Sequence, residues 1–420
     1  MRHFLTLLVT QSFSALGSAM TAFALIVWSY SQRGSALDSA LLSVCSYAPY
    51  VMVSVFAGAL SDRWDKKRTL LMCDALAACT TLLTLIFLET GRLEIWHLYA
   101  LNALSGLMNS VQRPASDVAV SLLVPKGNYQ RASALRSMAN SMVNIVTPAF
   151  AAALMTFAGL RAVLLFDLAT FACAFLSLLL MIDIPQIDRN GAREPLILAA
   201  KQGINYLKRH PGVLHIMLFL AAINLTASMY EAALPALVLS KRNEAALGVL
   251  QSVTGVIMLL GGVIAAMAKT PKSRVRVICN ALLISMSTEN FLLALGGDSL
   301  FLWCVGAVCG WLAIPTMNAN LDALLREYIP IDMQGRVFSV RNSCQFFTIP
   351  IGYLLGGTLV DRVFEPFMAV QNADALAVCV FGADKGAGAA LLFFLLGFAG
   401  AATCLVFRRD RAIWSLEGKK

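Results

Sequence analysis

The sequence predicts an all-α membrane protein of twelve transmembrane helices, arranged as two pseudo-symmetric six-helix halves. Three observations carry this reading. Hydrophobic residues make up 58% of the 420-residue chain and charged residues 14%, where soluble domains carry about a quarter charged. Apolar runs of about twenty residues, long enough to cross a hydrocarbon core of about 30 Å, recur along the whole length. The loops between them alternate between rich and poor in Lys and Arg, as loops on the two sides of a bilayer do. The net charge of +9 therefore belongs to membrane-facing loops, and nucleic acid is not an expected partner.

The predicted spans are 4–30, 38–60, 69–88, 96–117, 133–156, 160–182, 213–239, 246–268, 277–295, 300–325, 336–360 and 387–407. The first has a competing reading as a cleaved signal with a small-residue site at Ala15 to Ala19, but its apolar run continues through Phe23 to Trp28, too long for a signal core. An even number of spans puts both termini on one side. Arg2, the clusters at Arg63 to Arg68, Arg189 to Arg209 and Lys269 to Arg276, and Arg408 to Lys420 all fall there. The opposite loops hold only Arg33, Arg92, Arg161, Lys241, Arg242, Arg362 and Lys385. The basic-rich side is expected to be cytoplasmic and the membrane to be the bacterial plasma membrane.

The polar stretch from Asp183 to Pro211 divides the chain. We expect a first half over 1–182, a cytoplasmic linker over 183–211, and a second half with a cytoplasmic tail over 212–420. Within the linker, Pro195 to His210 carries Ile197, Ile204 and Leu207 on one helical face and Lys201 and Lys208 on another, the pattern of a helix lying on a surface. The halves repeat weakly. Pro125, Arg131 and Arg136 recur as Pro330, Arg336 and Arg341, each 205 residues on.

Polar residues inside apolar spans are costly and usually face a bundle interior or a water cavity. Here they form stripes at steps of three or four residues. Span one has Gln11, Ser14 and Ser18, and span four has Asn102, Gly106, Asn109 and Arg113. Span seven has Asn224, Ser228 and Glu231, and span ten has Trp311, Pro315, Asn318 and Asp322. The bland alternative is hydrogen bonding that merely joins helices. Glu231 lies eight residues before the outer end of its span, roughly 12 Å deep. A carboxylate there is partly desolvated and suited to exchange a proton; pairing with Lys241 or Arg242 is the rival reading. Arg113, Asp117, Arg136 and Arg341 sit near the cytoplasmic ends, where Asp62 also lies, and an acid among arginines at one depth points to a latch between helix ends.

No enzyme signature is present. A phosphate-binding Gly-rich loop is missing, and His3, His97, His210 and His215 make no metal pattern, so neither cofactor nor metal is expected. The ten cysteines lie almost entirely within apolar runs, as buried free thiols do. If the chain is a transporter, its energy would have to come from an ion gradient or from the substrate's own gradient.

One stretch is more particular. Gly58-Ala59-Leu60-Ser61-Asp62-Arg63-Trp64-Asp65-Lys66-Lys67 resembles the loop between helices two and three of the major facilitator superfamily, roughly G-x-L-x-D-R-x-G-R-K. Gly58, Leu60, Asp62, Arg63 and Lys67 match, Lys66 is conservative, and Asp65 stands where a glycine is expected. Gln112-Arg113-Pro114-Ala115 before Val124-Pro125, and Asp361-Arg362-Val363-Phe364-Glu365-Pro366, are similar to the macrolide-efflux-like branch of drug:proton antiporters. The resemblance implies that spans one, four, seven and ten line a substrate path, and that Gly58, Asp62, Arg63 and Lys67 belong to the latch. It makes spans six and nine peripheral, so Asp167 and Glu289 rank behind Glu231 for proton coupling. Thr147-Pro148-Ala149 keeps the proline of the antiporter motif in span five, with Ala151 to Ala153 where glycines are expected. The implied activity is export of amphipathic small molecules by proton antiport, from a monomer whose partners are lipid, substrate and protons. Export of a native metabolite such as a siderophore, or a transport-dead sensor or scaffold, stay open.

The orientation is open to a direct check. Asp374→Cys in a cysteine-free background should react with an impermeant thiol reagent in intact cells; reaction only after permeabilisation would invert the topology.

Overall fold

A backbone surrounded by hydrocarbon must satisfy its own hydrogen bonds, and the computed structural model is helical with no strand among the described residues. The structure describes residues 2–63, 65–125, 128–185, 205–372 and 374–417, with backbone alone at 2, 54–63, 129–130, 134, 331–332, 334–336, 338–339 and 342–344. Nine helices among the described residues are long and apolar enough to cross a membrane. One of them runs through spans five and six as Tyr129–Leu180, broken at Gly159, whose φ of 72° only glycine adopts readily. Helices also lie under span four, as Ile95–Leu123, and span eleven, as Ile331–Leu359. The first of these carries Asn102, Asn109 and Gln112, which lower its hydropathy.

Large apolar side chains face outward, among them Phe157 at 88% exposure, Met267 at 81% and Phe301 at 75%, the inverse of a soluble protein's surface and fitting for lipid. The chain divides into two compact units, Met1–Arg189 with Asn243–Ser252, and Asn190–Arg242 with Val253–Lys420. The opening of span eight, expected in the second half, thus packs with the first unit. There Gly248 lies against Pro148 and Ala152, and Thr156 Oγ1 donates to Glu244 at 3.3 Å.

In the first unit, Arg2–Arg33 packs on Tyr129–Leu180 and Ala36–Arg63 on Ile95–Leu123. Apolar helices gain little from mutual burial in lipid, so close approach depends on small residues. Gly106 meets the Ser46 backbone carbonyl directly. In the second unit, Pro211–Lys241 packs on Ile331–Leu359, where Gly352 rests on Leu225 and Ser228, and Gly356 on Met229 and Ala232.

Two of the predicted spans depart from a single regular α-helix. Span ten is two helices, Leu300–Trp311 and Ile314–Tyr328, with Pro315 in the first turn of the second, where its missing N–H costs nothing. Span nine widens into a π-turn over Ser285–Glu289 between Arg274–Ile284 and Asn290–Leu295. The C-terminal segment is folded onto the second unit. Ile413 and Leu416 are buried, His215 Nδ1 meets Asp410 Oδ2 at 2.6 Å, and Glu417 accepts from the Val275 N–H at 2.7 Å and Ser273 Oγ at 2.9 Å. Of the amphipathic linker helix, 195–204 lie outside the described residues, and 205–209 are helical with Leu207 buried.

Gly106→Ala should force spans two and four apart, at a cost of about 1–3 kcal/mol. The check is thermal unfolding of the detergent-purified protein, with Gly262→Ala, which has open space around it, as the neutral control. Equal melting temperatures would remove the close contact as a stability determinant.

Candidate membrane-embedded carboxylate sites

Arg136 and Arg341, which the sequence places near helix ends, are each paired with an acid of their own unit. Arg136 Nη1 meets Asp117 Oδ1 at 2.5 Å in the first unit, and Arg341 Nη1 meets Asp322 Oδ1 at 2.9 Å in the second. The two pairs correspond at the 205-residue offset on both the acid and the base. Asp322, placed by its spacing on the substrate stripe, is thereby joined to Arg341. The repeat would have revealed it, since Asp117 matches Asp322 as Arg136 matches Arg341. Arg113 lies over the Tyr50 ring, 5.6 Å from its centroid, a cation–π contact.

The Asp62 loop is described only in part. The helix Ala36–Arg63 includes Gly58, Asp62 and Arg63, whose side chains lie outside the described residues, so the latch expected of them stays a proposal. Lys67 Nζ donates to the Leu179 carbonyl at 3.2 Å, a cation at the C-terminal end of span six. Asp65, the departure from the loop signature, caps span three: its carboxylate accepts from the Arg68 N–H at 2.8 Å, an N-cap role that favours Asp over glycine only slightly.

Among the described residues of the spans, three carboxylates are buried to 3% exposure or less: Asp74, Asp167 and Glu289. Glu289 closes the π-turn of span nine, whose extra residue re-aims the side chain. Its Oε1 accepts from Tyr230 Oη on span seven at 2.7 Å and from Trp311 Nε1 on span ten at 2.8 Å. Gly310 leaves the space that the carboxylate occupies. Asp167 Oδ2 accepts from Thr21 Oγ1 on span one at 2.8 Å and from Thr81 Oγ1 on span three at 3.0 Å, with Gly17 packed against it. Asp74 accepts from Gln11 at 3.0 Å and Gln112 at 2.8 Å. Sequence reading ranked Glu289 and Asp167 low because their spans are peripheral, yet each reaches the helices that bear the polar stripes.

Glu231, the leading sequence candidate, is half-buried beside Tyr230. The rival pairing does not form: Lys241 reaches Asp298 at 3.7 Å and the Phe381 carbonyl at 3.4 Å, and Arg242 donates to the Asp298 carbonyl at 2.8 Å. Among the other stripe residues, Asn102 donates to the Leu98 carbonyl at 2.9 Å, Ser18 to Ser14 at 3.1 Å and Ser228 to Asn224 at 2.8 Å. Asn109 and Asn318 are exposed, Asn224 is half-buried, and Ser14 is buried.

This arrangement, polar groups held inside an apolar helical bundle, is that of a membrane transporter. The chain belongs to the Major Facilitator Superfamily, whose family model matches residues 7–353. It is 25% identical over 372 residues to macrolide efflux protein A of Streptococcus pyogenes, covering 86% of this chain and 90% of that protein. In fold it is similar to the nucleoside transporter NupG, with a TM-score of 0.76 at 11% identity over 96% of this chain and 98% of that one. It is also similar to a bacterial homologue of the iron transporter ferroportin in an inward-facing state, with a TM-score of 0.71 at 15% identity, covering 100% and 99% of the two chains. The protein is thus an integral membrane transporter and not an enzyme.

The end pairs are partly exposed, so each should contribute ~1 kcal/mol or less. Reversal by Arg136→Asp or Arg341→Asp should slow transport by about fivefold, and the swaps Asp117→Arg/Arg136→Asp and Asp322→Arg/Arg341→Asp should regain most of it. Swapped doubles no faster than the single reversals in whole-cell transport would remove the pairing as the cause.

Proposed function

We infer that the protein is a secondary exporter of amphipathic, macrolide-like small molecules, driven by inward proton flow through alternating access. The observation that carries the proton half of this reading is Glu289. It is 3% exposed, and both its partners, Tyr230 and Trp311, are neutral donors. A carboxylate in that position is costly while charged, and neutral when a proton binds. Its partners lie on spans seven and ten, so a proton on Glu289 alters hydrogen bonds to two helices that carry polar stripes. Glu231 stands next to Tyr230 and is the second group of this site. The substrate class rests on the name of the macrolide efflux relative, with which the chain aligns over most of its length.

Reconstituted vesicles test both halves. An imposed pH gradient should drive uphill movement of a macrolide probe by the unaltered protein. Glu289→Gln should cut that movement by about tenfold or more, ~1.4 kcal/mol of coupling, while downhill exchange persists. Glu231→Gln should have the smaller effect. Normal pH-driven efflux by Glu289→Gln would end its coupling role, and no macrolide movement by the unaltered protein would end the substrate reading.

A further inference from the structure

The cluster around Asp74 belongs to neither the end pairs nor the Glu289 site. Asp74 sits on span three, eight residues from its start at Lys66, roughly 12 Å along the helix. It is 1% exposed. Its Oδ2 accepts from Gln11 Nε2 on span one and its Oδ1 from Gln112 Nε2 on span four. Three helices thus converge on one carboxyl group, and the bonds that reach it come from neutral amides.

At the internal repeat's offset the second unit carries buried apolar residues in place of this cluster. At the 205-residue offset, Gln11, Asp74 and Gln112 correspond to Ile216, Cys279 and Met317. Those three are buried members of one hydrophobic cluster in the second unit, at 1%, 2% and 5% exposure. The same three positions are therefore filled by an apolar core in one unit and by a carboxyl with two amides in the other. A buried polar cluster is often replaceable by apolar residues without loss of stability, so its presence asks for a use.

We propose that Asp74, held by Gln11 and Gln112, is a proton-binding site of the first unit. The cluster suits a proton better than a metal cation, because both amides direct N–H groups at the carboxylate, and these repel a cation. When a proton bonds to one carboxyl oxygen the charge is neutralised, no covalent bond of the protein breaks, and the amide on that oxygen gives up its N–H bond and turns to present its own carbonyl oxygen as acceptor. Both charge states are then hydrogen-bonded.

The surrounding charges leave the site free to respond. Span one carries no charged side chain between His3 and Arg33. Cys73 adjoins Asp74 on span three and meets the Met108 carbonyl at 3.8 Å. On span four, Arg113 is engaged with Tyr50, Asp117 with Arg136, and His97 bonds the Glu94 N–H at the far end. On span six, Arg161 pairs with Glu89 at 2.9 Å. Asp167 is bonded to Thr81, seven residues from Asp74 along the same helix, about 10 Å away. Gln11, Ser14, Ser18 and Thr21 run between the two acids on one face of span one. A role for Asp74 in transport rests on the proton-driven reading above; proton binding itself does not.

Infrared difference spectroscopy of the purified full-length protein between acid and alkaline pH reads a protonated carboxyl directly. We expect a carboxyl band that disappears in Asp74→Asn. It should also disappear in the transplant Gln11→Ile/Asp74→Cys/Gln112→Met, which copies the second unit's core and should melt no lower than the unaltered protein. Gln112→Leu should move the midpoint of the band's titration. A pH-difference spectrum unchanged in both Asp74→Asn and the transplant would overturn the proposal. In vesicles, Asp74→Asn should reduce pH-driven efflux by about tenfold. Efflux that ignores the pH gradient in the unaltered protein would sink the proton-driven reading alone, with the infrared band still deciding whether Asp74 binds a proton.

Discussion

The cost of a charge in hydrocarbon governs this structure, because the alternatives to solvation differ with depth. Near helix ends, where water is close, acids meet bases: Arg33 with Asp38, Arg161 with Glu89, Arg274 with Glu327, and the matched pairs at Asp117 and Asp322. Deeper in, among the described residues, Asp74, Asp167 and Glu289 are bonded by hydroxyls, amides, a phenol and an indole. An ion pair fixes the charge of both partners. A carboxyl bonded by neutral donors keeps its charge open to change, and so the two depths suit two kinds of work, holding and exchanging.

Small residues make the deeper sites possible. A Cβ at Gly310 would run into the Glu289 carboxylate, and one at Gly17 into Asp167 and Thr170. These glycines are cradles for acids, while Gly106, Gly352 and Gly356 bring backbone against backbone. Lipid offers little drive for helix association, so the close contacts and the hydrogen bonds they permit reinforce each other. The π-turn at Ser285–Glu289 does the remaining positioning in span nine, at the expense of regular helical bonding over five residues.

Much of this was legible in the sequence, and the gaps have physical reasons. Helical class and the apolar runs followed from composition and run length, which depend on the bilayer alone. The break of span ten was signalled by Pro315. The π-turn had no such signal, since Ser285 to Glu289 contains neither proline nor glycine, and without it the reach of Glu289 to Tyr230 and Trp311 was hidden. The partner of Asp322 was hidden because a three-to-four-residue stripe records a helical face but not the residue across from it, and Arg341 supplies that partner. Gln11 and Gln112 were both noticed, but contacts across 63 and 38 residues leave no periodic trace.

The repeat separates what both halves must do from what each does alone. Arg136 with Asp117 and Arg341 with Asp322 survive in both copies, at the same separation of 19 residues, so the constraint at helix ends acted on each half alike. The interior did not keep that symmetry. Positions equivalent to Gln11, Asp74 and Gln112 became apolar core, and Glu289, Tyr230 and Trp311 correspond to Thr84, Leu25 and Gly106. If the buried acids served only to specify helix packing, both halves would need them equally, for their helices pack in corresponding ways, span one on five and six, span seven on eleven. Packing of the same kind is reached with and without each acid. What differs between the halves is therefore the chemistry placed inside a common frame, with Asp74 and Asp167 held by neutral donors in the first half and Glu289 in the second.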